Sequence, residues 1–241
     1  MQNRYVADIG DYMKFSILRA LSPGRRLGVV WWLFRDEDHN KDGGHREYLD
    51  APDKWRHFDR ELFDELVRIN KRKEYNVRVI ENSAILKNAV FVSDLIPCDG
   101  LPCPERPQKR NQWLRRAKET VGNCDLLFLD PDNGIASDKL RLTHRRAAKS
   151  VTIDELVCLS EKNRTIVMYH HQTFFKGGHI AEIHSLATRL RNAHLKVSGA
   201  LRARPWAPRI FFILNGDDDL ARRAENLGKV WAPHLTWYPE P

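Results

Sequence analysis

The sequence predicts a single three-layer α/β domain on a mainly parallel sheet. Three observations carry that expectation. Short apolar runs such as Leu126–Leu129 read as strands buried on both faces. Amphipathic helical stretches separate these runs, and turn residues cluster directly behind them. Such strand–helix alternation over 241 residues, with no internal repeat or low-complexity segment, points to one Rossmann-like domain spanning the chain.

In chain order, residues 11–21 carry apolar side chains at helical spacing (Tyr12, Phe15, Ile17, Leu18, Leu21) and stop before Pro23-Gly24, predicting a helix. Residues 27–34 predict a buried strand and 35–46 a polar loop. Residues 58–69 predict a helix capped by Asp59. Residues 75–80 and 90–92 read as short strands around a helical turn. The proline-rich stretch 97–107 reads as a loop and 111–121 as a basic helix. After the 126–129 strand, Thr152 and Glu155 form a capping box for a helix over 153–161. A strand over 165–169, a loop over 170–179 and an amphipathic helix over 180–193 follow. Residues 196–202 and 209–214 predict closing strands, paired as a hairpin, and one more helix starts in the tail from 221.

Composition narrows the function classes. No apolar run approaches the ~18 residues needed to cross a bilayer, and the amino terminus lacks a basic-then-apolar leader, so a cytoplasmic protein without membrane contact is expected. Cys98, Cys103, Cys124 and Cys158 are irregularly spaced and predict neither zinc nor disulfides. The net charge of +8 favours a polyanion, and DNA is expected ahead of RNA. Arg106, Lys109, Arg110, Arg115 and Arg116 surround Trp113, while Arg202, Arg204 and Arg209 surround Trp206. Arginine beside tryptophan suits phosphate contact and base stacking, against the blander reading of solvated helix faces over a packed ring.

Three loops at strand ends carry reactive groups. The first, 36–45, holds His39, Asn40, Asp42 and His45. The second is Asp130-Pro131-Asp132-Asn133-Gly134. The third runs from Tyr169-His170-His171 through Phe174 and Phe175. In a parallel sheet these loops share an edge, where ligands of open α/β folds bind. Asp130, Asp132, Asn133, His170 and His171 are the expected catalytic groups. Asn40, Asp42, Tyr169, Phe174 and Phe175 are the expected substrate contacts.

The layout resembles the class I Rossmann-like methyltransferases, most of all the bacterial ribosomal-RNA adenine-N6 methyltransferase family. Asp11-Tyr12-Met13-Lys14 matches that family's Asp-x-x-Lys helix segment, which adds Asp11 and Lys14 as substrate contacts. Asp130-Pro131-Asp132-Asn133 stands where the family has Asp-Pro-Pro-Tyr, and Met168-Tyr169-His170 stands for its Trp-Tyr-Pro. The resemblance implies S-adenosylmethionine as cofactor. Yet the loop after the first strand is bulky and charged, and the catalytic motif gains a carboxylate and loses an aromatic ring.

Those departures favour hydrolysis. Asp130 or Asp132 would position water and offset an oxocarbenium charge, Asn133 would hold the base, and His170 or His171 would polarise the leaving base. Asp-Pro followed by a histidine loop is also loosely similar to the uracil-DNA glycosylase superfamily. The leading expectation is therefore a DNA glycosylase acting on a flipped base, needing no cofactor and suited to defence against phages with modified bases. An adenine-N6 methyltransferase is the alternative. A metal-dependent nuclease using His39, Asp42, His45 and Asp130, or a non-catalytic nucleic-acid-binding module, comes third.

Overall fold

A computed structural model describes residues 1–37, 44–161 and 164–241. Seven strands form the central sheet: β1 (Leu27–Val30), β2 (Val90–Val92), β3 (Leu126–Leu129), β6 (Thr165–His171), β7 (Val197–Ala203), β8 (Arg209–Leu214) and β9 (Leu235–Tyr238). Their spatial order is β2-β1-β3-β6-β8-β7-β9. The first four are mutually parallel, β8 runs antiparallel to β6 and β7, and β9 runs antiparallel to β7. A separate parallel pair, β4 (Gly134–Ile135) and β5 (Ser150–Val151), follows the Asp130 turn.

Strand periodicity makes the layers. Along β1 and β3, Val29 and Phe128 point into one core with α1 (Ile9–Leu21), α3 (Arg60–Arg72) and α8 (Asp218–Val230). Val30, Leu127 and Leu129 point into a second core with α5 (Arg106–Thr120), α6 (Ile153–Leu159) and α7 (Gly178–Asn192). The remaining helices, α2 (Pro52–Trp55) and α4 (Val77–Glu81), are short. The expected three-layer, Rossmann-like architecture is thus present. The Thr152–Glu155 capping box also forms, as does the antiparallel pairing of β7 with β8. No helix among the described residues is long and apolar enough to cross a membrane.

Beyond shifted boundaries, among them β6 running on to His171 and α5 starting at Arg106, three departures have a clear physical cause. The first strand ends at Val30, because Trp32 adopts a left-handed backbone (φ 48°) that a pleated ladder does not accommodate. Residues 77–81 are helical although Val77, Val79 and Ile80 favour a strand. The Asn76 side chain accepts from the Arg78 amide and starts the turn. Finally, β9 closes the sheet where only a helical tail is expected; its Trp237 ring packs over Gly199, where a Cβ would lie 1.9 Å from the ring.

The topology locates a ligand site. From β1 the chain moves outward to β2, then returns past β1 to β3. The crevice between the carboxyl ends of β1 and β3 is therefore a switch point, where neighbouring connections leave in opposite directions. Because α1 precedes β1 and β8 opposes β6, the start of α1 and the start of β8 face the same edge.

Candidate functional site

A cavity of about 440 Å³ opens at this edge. Its floor is the first turns of α1 against the end of β3. Lys14 Nζ donates to Asp11 Oδ1 at 2.7 Å and to Asp130 Oδ2 at 2.6 Å, with all three side chains buried. Asp8 caps α1, accepting from the Asp11 amide at 2.9 Å. Burial, chiefly, raises the Asp11 carboxyl to about 6 against the pull of Lys14. Burial alone would depress Lys14, but Asp11 and Asp130 outweigh it and hold the ammonium above its ordinary value. The cluster carries one net negative charge while Asp11 is ionised and none once Asp11 takes a proton.

Asp132 is not free for proton transfer. Its side chain is 4% exposed and lies 2.9 Å from the Met1 α-amine; Gln2 donates to Oδ2, and Lys149 stands 3.6 Å away. Burial opposes its charge, yet the Met1 ammonium, Gln2 and Lys149 together hold its carboxyl below the usual range. Asn133 is exposed and lines the cavity, as does His171, whose Nδ1 stands 3.4 Å from the Tyr169 hydroxyl. Tyr169 also lines it; burial first, with Arg209 opposing, lifts its phenol to about 12.

His170 is a correction. Alternation along β6 turns its ring away from the cavity and onto Gly134. Its Nδ1 accepts from the Ile135 amide at 3.0 Å, and Nε2 stands 3.5 Å from Glu182. Gly134 (φ 89°) cannot carry a side chain there, since a Cβ would fall 2.4 Å from that nitrogen. His170 therefore anchors the Asp130 turn, leaving His171 to face the cavity.

Phe174 and Phe175 are exposed and do not line the cavity. His39, Asn40 and Asp42 lie outside the described residues, whereas His45 lines the wall. Among the described residues no group of three or more His, Cys, Asp or Glu side chains could hold a metal ion.

The basic clusters divide. Arg110 and Trp113 belong to the interior: Arg110 donates to Glu155 at 2.5 Å and to the Ala147 and Ser150 carbonyls. The Trp113 ring packs edge-on against Trp32. Helical spacing turns both inward from α5 and leaves Lys109, Arg115 and Arg116 exposed. Arg106 bonds the Thr143 carbonyl, and Arg202 is held by Gln172 and His179. Arg204 is exposed. Trp206 is 48% exposed, next to the cavity residue Ala207 and 6.1 Å from the ring of His45, with a left-handed backbone (φ 58°).

The residues present do not fit S-adenosylmethionine at the end of β1. A nucleotide cofactor needs bare backbone there, and Trp31, Trp32, Leu33 and Phe34 fill the turn with buried side chains. Sequence reasoning missed Asp8, Gly10, Glu37 and Lys149 as cavity residues. The cap position of Asp8 before an apolar helix is the one signal that could have pointed to any of them. No protein-family model, curated protein or solved structure matches the chain.

Proposed function

We propose that the chain hydrolyses the N-glycosidic bond of a nucleobase flipped out of DNA into the switch-point cavity. The observation that carries this reading is the buried, net-negative Asp11–Lys14–Asp130 cluster beneath a cavity walled by Asn133 and His171. An oxocarbenium-like sugar gains positive charge as the C1′–N bond breaks, and a fixed carboxylate floor stabilises that charge without reorganising. Lys14 holds Asp130 in place, and Asp11 compensates the ammonium. Water adds its oxygen to C1′. The departing base nitrogen takes a proton from His171, which water's proton restores. Asn133 pairs with the base edge. Exposed Lys109, Arg115, Arg116 and Arg204 supply phosphate contacts, and Trp206, next to Ala207, a stacking surface.

The methyl-transfer alternative has one supporting observation: the two segments that carry the resemblance touch, through Lys14 and Asp130. The filled turn after β1 weighs against it. Incubation with a panel of base-modified oligonucleotides, followed by chromatography for free base and alkaline cleavage at abasic sites, tests the hydrolytic reading directly. Calorimetric titration with S-adenosylmethionine tests the alternative, and saturable binding would restore it.

A further inference from the structure

Arg209 lines the cavity and is 6% exposed. It opens β8 opposite His171, at the same edge as Asp130. Nη1 donates to the carbonyls of Pro205 at 3.1 Å and Ala207 at 3.0 Å, leaving Nε and Nη2 without a partner among the described residues. No carboxylate of those residues pairs with the guanidinium either. A buried guanidinium whose neighbouring carboxylate, Asp8, makes no direct ion pair with it favours an anion that completes its hydrogen bonds.

The guanidinium sits over Gly10, the second residue of α1. A Cβ placed on Gly10 would lie 3.0 Å from Arg209 Nε and 3.1 Å from Cζ. Around Gly10 the helix donors are taken: the Ile9 amide bonds the His45 carbonyl and the Asp11 amide bonds Asp8. The Gly10 amide has no partner among the described residues. One wall of the cavity thus offers the free edge of a buried arginine beside a free amide at a helix N-terminus, a combination suited to phosphate.

We propose that Arg209 and the Gly10 amide form a phosphate subsite that holds the backbone phosphodiester next to the base being cleaved. The proposal rests on the reading that the cavity takes a nucleoside unit, and it adds that the unit is recognised within a strand. Asp8, whose Oδ1 lies 3.0 Å from the same Cβ position, selects between phosphates. Its carboxylate disfavours a second negative charge, so a singly charged diester is preferred to a dianionic monoester.

The test measures affinity of the full chain for a single-stranded trinucleotide, a 5′-mononucleotide and inorganic phosphate. Wild type should bind the trinucleotide at least tenfold more tightly than either monoanion-to-dianion probe. Arg209→Gln should weaken trinucleotide binding at least tenfold. Because Arg209 also ties down residues 205–207, Gly10→Ala is the second variant. Alanine is the better helix former, and the atoms its methyl meets, Arg209 Nε and Asp8 Oδ1 at 3.0 Å, are side-chain ends that can give by a few tenths of an ångström, so the fold should hold while the guanidinium shifts. Gly10→Ala should likewise lose at least tenfold while still unfolding in one cooperative transition. Absent trinucleotide binding, or affinity unchanged in both variants, would overturn the subsite. Equal turnover of free nucleosides and strands would overturn it while sparing the hydrolytic reading. No turnover of any substrate, with binding still weakened by both substitutions, would leave the subsite standing without that reading.

Discussion

Replacing Lys14 by methionine tests the organisation of the cavity floor. The substitution keeps most of the side-chain volume and removes a buried ammonium from between two carboxylates at 2.7 and 2.6 Å. At an effective dielectric of about 20, each contact represents roughly 6 kcal/mol of Coulomb attraction, and the dehydration of the ammonium offsets a large part of it. Removing one partner of such a buried cluster costs about 3–5 kcal/mol, because Asp11 and Asp130 stay behind and repel one another. With a urea dependence of about 3 kcal/mol/M for a chain of this size, the midpoint should fall by roughly 1–1.7 M at pH 8. The loss should shrink at pH 5, where Asp11, with its carboxyl raised to about 6, is protonated in the folded protein. Adding Asp11→Asn to Lys14→Met should restore part of the midpoint at pH 8. A shift under about 0.3 M, or one independent of pH, would refute this account of the floor.

Other consequences follow from the same geometry. Asp11 has a higher folded value (about 6) than unfolded value (3.8), so the folded state binds its proton more tightly. Its contribution to stability is therefore largest below about pH 4, and about 3 kcal/mol of it disappears as pH rises from there through 6. Urea midpoints of wild type minus Asp11→Asn across pH 4–8 should show that slope. His171→Gln should abolish base release with a midpoint change equivalent to under about 0.5 kcal/mol. His170→Gln should instead destabilise by about 1–3 kcal/mol through the Ile135 amide it leaves unpaired. DNA affinity should fall steeply with salt, and substituting both Arg115 and Arg116 by glutamine should reduce the log–log slope by about 2; an unchanged slope would remove them from the interface.

Much of the fold was legible because β1, β3 and β6 are short apolar runs buried on both faces, which leave little choice but a covered parallel sheet. Residues 77–81 misled because one asparagine cap outweighed three β-favouring side chains. At the site, the Asp130 turn and His171 could be read from strand-end placement. The division between His170 and His171 depended on which face each takes along β6, which the residue types alone do not reveal. In the sequence Asp132 is a carboxylate in a strand-end turn, a type of position whose loss ordinarily leaves folding intact. Its ion pair with the Met1 amine spans 131 positions and reverses that expectation: Asp132→Ala should destabilise by about 1–3 kcal/mol. Arg110 and Trp113 looked like a nucleic-acid surface because composition does not separate the two faces of α5.

Release of free base from DNA by wild type and by Asp130→Asn, followed across pH 5–8, decides whether the cavity is hydrolytic. Wild type should yield free base and an abasic strand in equal amounts. Turnover should fall below about pH 6, as Asp11 neutralises the floor, and the variant should release no base. Intact glycosidic bonds across the whole panel of modified bases, or undiminished turnover in Asp130→Asn, would contradict the hydrolytic reading.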